Sequence, residues 1–446
     1  MSEPNQMFSA QNLGWMRKRN KQYYLEPDTG EYPQTEEDWS TFLSQLQERV
    51  ASDAFEFSRL KTMTISKKGG GQSRRTVLCT TSLDETLVLR KINDNLRRSY
   101  GIKPVKRGDL LQLVKQAIAE PTPKTIIRVD IRSCFESINR KRLIEKIIKD
   151  GYVSFQTISL LKKMFVAATS KHPRITSSGV PRGVIVSSTM AEIFLADLDR
   201  DLRSIDGVYL LLRYVDDILI FATRSYGHVS PHVAKVIKKY GLQQNPKKAA
   251  RQEVGCGCSD VCHHHNPCPC MERCKCYSNN LEGRLAIEYL GYEVHFSPHN
   301  AAKKTNEVAM ILSDRKSRKI MSRISMAARD YIKSGDVTLL SDRLKYITGN
   351  QRVLHTGGHR GIFSGLAYTH SEYCENGLKD RGRNTISAID LHRRRVLRSA
   401  FRRRPQPANI EEKLLSISAD SGFHKKRRTK YTAQRIAKIV RCWKDA

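Results

Sequence analysis

Three aspartates in two short segments could supply the ligands for a metal-dependent phosphoryl transfer. Asp130 ends the apolar run TIIRVD, and Asp216 and Asp217 lie between the two apolar halves of YLLLRYVDDILIFAT. Hard cations such as Mg²⁺ prefer carboxylate oxygens. Two such ions about 3.5–4 Å apart can activate an attacking 3′-oxygen and stabilise a leaving pyrophosphate. A carboxylate at a strand end that faces two more in an adjacent hairpin turn would place this chemistry on one rigid platform.

Each aspartate segment alone is most often an ordinary turn or cap. The two segments are more informative as members of a set of five motifs that follow one another in a fixed order along the chain. The motifs are DIRSCF at 130–135, GVPRG at 179–183, YVDD at 214–217, NPKK at 245–248 and YLG at 289–291. In this order, across about 60–296 and with Ser187 downstream of GVPRG, they resemble motifs A to E of the reverse transcriptases. The resemblance implies an RNA-directed DNA polymerase, a nucleotidyltransferase. It also implies an α+β right-hand fold of fingers and palm with a helical thumb.

The same resemblance implies roles for the metal ligands. Asp130 and Asp216 would bind two Mg²⁺ ions directly, and Asp217 would support them. The backbone carbonyl of Ile131 would be a further ligand. The implied reaction is two-metal nucleotidyl transfer onto a 3′-hydroxyl, or onto the side chain of a Tyr, Ser or Thr that acts as primer.

Other motif residues would bind the substrates. Phe135 would lie beneath the incoming sugar and clash with a 2′-hydroxyl, so that deoxynucleotides are preferred. Lys248, with Lys247 as its rival, would protonate or steady the leaving pyrophosphate, and Gly183 would let the backbone approach the template–nucleotide pair. The family usually has glutamine where this chain has Arg182. A guanidinium has five donors and no acceptor, so we expect Arg182 to contact phosphate or template backbone.

Stretches outside the motifs resemble one branch of the family. They are LVLRKINDNLRRSYGIKP at 87–104, SDRLKYITGNQ at 341–351 and GIFSG at 361–365, and they are similar to the bacterial abortive-infection and defence-associated reverse transcriptases. That likeness implies a cognate noncoding RNA as template, a DNA product, dNTP substrates, and a second reverse transcriptase or another copy of this chain as partner. Two alternatives stay open: template-independent DNA synthesis by the same site, which Arg182 makes conceivable, and a noncatalytic RNA-binding scaffold. Retention of three like charges argues against the scaffold.

A cysteine-rich insert at 254–280 predicts a second metal site. It holds seven of the eleven cysteines: six form two C-x-C-x3-C copies that flank three histidines, and Cys276 follows the second copy. The candidate ligands are Cys256, Cys258, Cys262, Cys268, Cys270, Cys274 and Cys276, with His263, His264 and His265 between the copies. Clustered thiolates suit tetrahedral Zn²⁺, here one or two ions, which would fold a loop that has few apolar residues. An iron–sulfur cluster matches neither common ferredoxin spacing, and a loose reduced loop is the third alternative.

The charge of the chain predicts a polyanionic partner. Its 78 Lys+Arg exceed its 45 Asp+Glu by 33, and cations that neutralise phosphates gain affinity through counterion release. The densest basic runs are at 393–395, 402–404 and 425–428, where we expect a nucleic-acid backbone to bind; Arg74, Arg75 and Arg90 are candidate triphosphate contacts. No run of about 18 uncharged apolar residues occurs, and the start lacks a secretory pattern. We therefore expect a cytoplasmic protein that does not bind membranes, and the likeness to the defence-associated enzymes implies a bacterial one.

The apolar pattern predicts the elements that position the motifs. Helices are expected at 87–100, near 137–148, at 154–168, at 186–203 and, as a basic helix, at 429–445; a strand is expected at 125–131, and a hairpin at 209–223 with both aspartates in its turn. A glycine-rich basic loop is expected at 67–75. Three parts follow: a helical extension at 1–60 anchored by Trp15, Trp39 and Phe42, fingers and palm at 61–296 that carry the insert, and a helical basic thumb and C-terminal region at 297–446.

Overall fold

The computed structural model describes most of the chain. The described residues are 5–19, 33, 35–58, 60–66, 74–80, 82–120, 122, 124–171, 179–223, 229–246, 248–254, 285–296, 308–353, 363–366, 373, 385–425 and 427–443. The chain forms two compact units, one of Met1–Pro104 with Ile127–Ala250 and one of Val105–Ile126 with Arg251–Ala446. The predicted zinc ligands at 256–276 and Lys247 lie outside the described residues. The zinc insert and the three-part division therefore stay predictions.

Helices and strands are mixed along the described chain. The first half contains α1 (Ala10–Arg19), α2 (Glu36–Ala51), β1 (Leu60–Ser66), β2 (Arg74–Thr80), α3 (Leu83–Ser99), α4 (Arg107–Ala119), β3 (Lys124–Asp130), α5 (Cys134–Ser137), α6 (Arg140–Asp150), α7 (Phe155–Lys171), α8 (Ser187–Arg203), β4 (Val208–Tyr214), β5 (Asp217–Thr223) and α9 (Val229–Lys239). The second half contains β6 (Ala250–Val254), β7 (Leu285–Tyr289), β8 (Tyr292–Phe296), β9 (Val308–Leu312), α10 (Asp314–Ser334), α11 (Val337–Thr348), β10 (Asn350–Val353), β11 (Phe363–Gly365), α12 (Ile386–Arg403), α13 (Ala408–Leu415), α14 (Ala419–His424), β12 (Arg428–Tyr431) and α15 (Ala433–Arg441). The α+β class is confirmed, and the right-hand arrangement stays a prediction.

The first unit is organised around β3 and the β4–β5 hairpin. They are neighbours in a four-stranded sheet of order β4-β5-β3-β6. β3 is buried at every position except the half-buried Arg128, and its apolar residues Ile126, Ile127 and Val129 lie in the core. α8 buries ten of its residues and packs against β4, α3 and α9. The helix that follows GVPRG therefore supports the hairpin that carries YVDD.

The local predictions near the motifs are mostly confirmed. The strand at 125–131 is β3, and the helices at 87–100, 154–168 and 186–203 are α3, α7 and α8. The helix near 137–148 begins at Arg140, where the Asn139 side chain accepts a hydrogen bond from the backbone N–H of Arg142. Trp39 is buried as predicted, but Trp15 is 44% exposed and does not anchor the extension.

Two predicted turns and loops are wrong in part. Tyr214 pairs with Asp217, so the hairpin turn consists of Val215 and Asp216, and Asp217 begins β5. Arg74 and Arg75 open strand β2, which pairs antiparallel with β1, and do not lie in a loop.

The second unit contains more strands than its sequence predicts. Six of its described strands form two three-stranded sheets, of orders β7-β8-β9 and β11-β10-β12, while α10 packs against α11 and α12. The prediction of a helical region after 296 is thus wrong for β9, β10, β11 and β12. The basic C-terminal helix begins only at Ala433, because 428–431 pair in parallel with 350–353. Among the described helices, none is long and apolar enough to span a bilayer.

Candidate active site

The end of β3 and the turn of the β4–β5 hairpin meet through a backbone hydrogen bond. The N–H of Ile131 donates to the carbonyl of Asp216 at 2.9 Å. Asp130 is buried, with 5% of its surface exposed, whereas Asp216 is half-buried. The residues that begin DIRSCF and those that form the turn of YVDD are therefore neighbours, as the sequence predicts.

The hairpin turn holds Val215 in a strained conformation. Its φ is +60°, a region that β-branched residues avoid because the side chain crowds the backbone. Asp216 is not among the residues with positive φ, so the pair has the form of a type II′ turn, whose first central position is normally glycine. The Arg213 guanidinium donates to the Val215 carbonyl at 3.2 Å. The turn that presents Asp216 is thus held against its local preference.

The carboxylate of Asp130 is bound by two residues of NPKK. The Asn245 side-chain amide donates to Asp130 Oδ2 at 3.0 Å, and the Lys248 ammonium forms an ion pair with Oδ1. The Asn245 backbone N–H also donates to the Asp130 carbonyl at 2.8 Å. The Lys248 side chain is 43% exposed, whereas that of Asp130 is 6% exposed, so the lysine neutralises a buried carboxylate. The structure thus places Lys248 against Asp130, and its role toward pyrophosphate stays a prediction.

Asp217 has a cationic partner that the sequence analysis missed. Arg128 reaches both of its carboxylate oxygens, with Nε and Nη2 each at 3.2 Å. Burial raises the pKa of Asp217, Arg128 opposes that shift, and the charge of Asp130 adds to it. Arg128 and Asp130 are two residues apart and so share one face of β3. An arginine inside an otherwise apolar strand was the available signal.

Arg182 is bound to Glu136 and lies against Phe135. Its Nε and Nη2 donate to the two Glu136 carboxylate oxygens at 2.5 and 2.9 Å. Its Cζ lies 4.8 Å from the centroid of the Phe135 ring. The hydrogen-bonded Glu136 carboxylate raises the pKa of Arg182, so the guanidinium stays charged. In this structure Arg182 forms a bidentate ion pair, and its expected contact with phosphate or template backbone stays a prediction.

The GVPRG loop is fixed by close backbone contacts on two sides. The Val180 N–H donates to the Phe135 carbonyl, and the Leu78 N–H donates to the Arg182 carbonyl, both at 2.7 Å. A Cβ on Gly183, whose φ is +96°, would lie 2.3 Å from the Leu78 carbonyl oxygen. Glycine is therefore required by β2 as neighbour, while the predicted approach of Gly183 to a template–nucleotide pair stays a prediction.

A buried arginine network connects α8 to the YVDD hairpin, and no sequence motif marked it. Arg213, with 8% of its side chain exposed, pairs with Asp199 at 2.7 Å and with Glu192 at 2.7 Å. These two acidic partners raise the pKa of Arg213 despite its burial. Since the same guanidinium holds the Val215 carbonyl, α8 fixes the backbone that carries Asp216.

The donor set fits a hard divalent cation. Asp130, Asp216 and Asp217 offer only carboxylate oxygens, the ligands that Mg²⁺ prefers. The cations Lys248 and Arg128 now occupy two of the three carboxylates, which is the charge compensation that a bound metal would supply. Among the described residues, no group of three His, Cys, Asp or Glu side chains is gathered closely enough to hold a metal ion. The oxygen ligands of the site thus suit Mg²⁺ in kind, but the carboxylates of Asp130 and Asp217 are directed to Lys248 and Arg128.

Comparisons with known proteins agree with this arrangement. A family model described as reverse transcriptase (RNA-dependent DNA polymerase) matches residues 65–294, which include all five motifs. A putative COX1/OXI3 intron 2 protein of Saccharomyces cerevisiae is 25% identical over 174 residues, 37% of this chain. The matched region is 20% of that protein, so the chain spans about a fifth of the length of this curated relative. The likeness to bacterial defence enzymes stays a prediction.

Proposed function

The chain belongs to the reverse transcriptase family, and on that premise we propose that it is an RNA-directed DNA polymerase. The observation that carries the proposal is the junction of Asp130 with the Asp216 turn through the bond from Ile131 N–H to the Asp216 carbonyl. In the proposed reaction, the 3′-oxygen of a primer attacks the α-phosphorus of a dNTP. The bond from that phosphorus to the β-phosphate oxygen breaks, and pyrophosphate leaves.

Members of this family generally use Mg²⁺, and we assign its binding to the three aspartates. Asp130 and Asp216 would hold two ions, with Asp217 and the Ile131 carbonyl as supporting ligands. When bound, the ions supply activation of the 3′-oxygen and neutralisation of the charge on the departing pyrophosphate. Arg128 binds both carboxylate oxygens of Asp217, so a metal ion that uses Asp217 would have to displace this guanidinium.

Lys248 has two tasks in the proposed mechanism. Before substrate binds, its ammonium compensates the buried charge of Asp130. Once released, it is a proton donor within side-chain reach of the position where pyrophosphate leaves, and it can pass a proton to that group. Such a donor contributes roughly 10²–10⁴-fold to a transfer rate.

Phe135 and Arg182 would select the nucleotide. We propose that the Phe135 ring excludes a 2′-hydroxyl, as the resemblance implies. The guanidinium 4.8 Å above its centroid limits how far the ring can turn. The ion pair with Glu136 holds that guanidinium in place.

The template and setting are proposed from the flanking stretches alone. The similarity of 87–104, 341–351 and 361–365 to defence-associated enzymes supports a cognate noncoding RNA template and a role in bacterial antiviral defence. A net charge of +33 supports nucleic acid as partner.

The test is to sequence the nucleic acid that co-purifies with the protein, together with the products made with Mg²⁺ and labelled dNTPs. Asp216→Asn is compared with Asp206→Asn, which changes an exposed aspartate in the loop before β4. DNA that is complementary to the bound RNA, made by Asp206→Asn but not by Asp216→Asn, supports the proposal. DNA without a complementary RNA would favour template-independent synthesis. Absence of any Asp216-dependent product would favour the scaffold.

The cysteine-rich insert is proposed to bind zinc independently of the polymerase site. Elemental analysis of the purified protein should find one or two zinc ions per chain. Replacing Cys256 and Cys258 with serine should remove zinc and leave the ligands of the catalytic site unchanged. Iron in place of zinc would favour the cluster, and no metal would favour the reduced loop.

A further inference from the structure

Four large apolar side chains of the first unit are unusually exposed. Met7 is 68% exposed, Trp15 44%, Tyr152 59% and Phe155 88%. Exposed apolar residues are common when scattered, but a contiguous group marks a binding surface. Phe155 is the most exposed of the three rings, and the Tyr152 ring packs edge to face against Tyr100 with centroids 5.5 Å apart.

Hydrogen bonds of Gln6 bring together the backbone segments that carry three of these side chains. Its amide donates to the Tyr152 carbonyl at 2.8 Å and to Ser99 Oγ at 3.2 Å, and its carbonyl oxygen accepts from the Ser154 N–H at 2.7 Å. Met7 follows Gln6 directly, and Phe155 follows Ser154. Ser99 is also the last residue of α3, so the same bonds tie this group to the end of that helix.

Basic side chains at the ends of α1 and α3 surround Trp15. The guanidinium carbons of Arg19 and Arg98 lie 4.9 and 5.3 Å from the centroid of its ring. Both guanidinium groups are also held by Asp94, at 3.8 and 2.8 Å. The last turns of the two helices carry three and two cations: Arg17, Lys18, Arg19, and Arg97, Arg98.

We propose that the Trp15–Phe155 patch, defined as Met7, Trp15, Tyr152 and Phe155, binds single-stranded RNA. Bases would stack on the aromatic rings, and phosphates would contact Arg19 and Arg98. Exposed rings interleaved with arginines are how proteins bind single strands without reading sequence. The surplus of cations around Trp15 fits a phosphate backbone better than it fits a second copy of this basic chain, which would bring like charge to the same surface. None of these side chains belongs to the carboxylate site.

The experiment measures binding of the full chain to a fluorescent single-stranded RNA, by anisotropy, without Mg²⁺ or nucleotides. Phe155→Ala and Tyr152→Ala should each weaken binding by about 5- to 150-fold, the loss expected for one stacked base. Phe155→Trp should retain the affinity. Val166→Ala is the matched control, because Val166 is 69% exposed on the same helix α7 and should change nothing.

Salt dependence tests the phosphate contacts separately. If Arg19 and Arg98 each contact one phosphate, the slope of log affinity against log salt should shrink by about 0.7 for each arginine replaced by alanine. Because binding is measured without Mg²⁺ or nucleotides, loss of DNA synthesis with intact RNA binding and loss of RNA binding at this patch remain distinguishable.

Two results would overturn the inference. Unchanged RNA affinity in both Phe155→Ala and Tyr152→Ala would exclude stacking at this surface. The second result is a dimeric wild type and monomeric variants in sedimentation, with RNA binding unaffected. The patch would then be a protein interface. The exposure of both side chains means that their removal should leave thermal unfolding unchanged, which is checked first.

Discussion

Glu136→Gln and Arg182→Gln should loosen the Phe135 ring and weaken discrimination against ribonucleotides. Glu136 is about half exposed, so its ion pair with Arg182 contributes at most about 1 kcal/mol despite the bidentate geometry. The guanidinium–ring contact adds roughly 0.5–1 kcal/mol. We therefore expect Arg182→Gln to reduce the free energy of unfolding by about 1–2 kcal/mol, and a double-mutant cycle to give a coupling energy of about 1 kcal/mol between the two residues.

The same energy sets the size of the functional effect. Suppose that holding the ring in place raises the transition-state free energy for the ribonucleotide alone, by about 1 kcal/mol. Loss of that restraint then lowers the ratio of kcat/KM for a dNTP over the matching NTP by about fivefold. Single-nucleotide incorporation on a primed RNA measures that ratio for each variant. Arg200→Gln, which removes an arginine that is 71% exposed on α8, controls for the loss of positive charge.

Two results would refute this reasoning. A Phe135→Ala variant with unchanged nucleotide preference would show that the ring does not contact the sugar. An unchanged ratio in Arg182→Gln, together with the full coupling energy, would show that the ion pair stabilises the fold and has no part in selectivity.

Three further predictions concern the aspartates and their turn. Because burial raises the pKa of Asp217, the native state holds the proton of this carboxyl more tightly than the unfolded chain does. The free energy of unfolding of the wild type should therefore fall as the pH rises from the unfolded pKa, about 4, through the raised native one. Urea unfolding should show Asp217→Asn gaining stability relative to the wild type over that interval, and a difference that stays constant with pH would contradict the shift. Lys248→Met should lower the single-turnover rate by about 10²–10⁴-fold with little change in dNTP affinity. If proton donation is needed and not charge alone, Lys248→Arg should recover less than half of the loss in the logarithm of the rate. Val215→Gly should raise the free energy of unfolding by about 1 kcal/mol, because glycine adopts the positive φ of this position without strain. Val215→Ala should not raise it. A loss of stability in the glycine variant would mean that the packing of the valine side chain outweighs the strain.

The sequence predicts elements whose signal is local and misses contacts that depend on tertiary structure. The short apolar run of β3 and the helical spacing of apolar residues in α8 are both local signals, so their positions follow from the sequence pattern. The pairing of Arg128 with Asp217 spans 89 residues along the chain, and no spacing rule reaches that far. Strands such as 350–353 and 428–431 are four residues long and mostly polar, so only their mutual pairing specifies them.

The site separates the residues that fix its backbone from those that neutralise its charge. Arg213 holds the Val215 carbonyl and is itself paired with two carboxylates of α8, so the turn that carries Asp216 keeps its shape whether or not a metal is bound. Asp130 and Asp217, in contrast, are compensated by the side chains of Lys248 and Arg128. In the proposed mechanism a cation at Asp130 would take over the charge compensation that the half-exposed Lys248 supplies. A cation at Asp217 would also have to displace Arg128, which is mostly buried, so we expect Asp130 to be the ligand that exchanges its partner more easily.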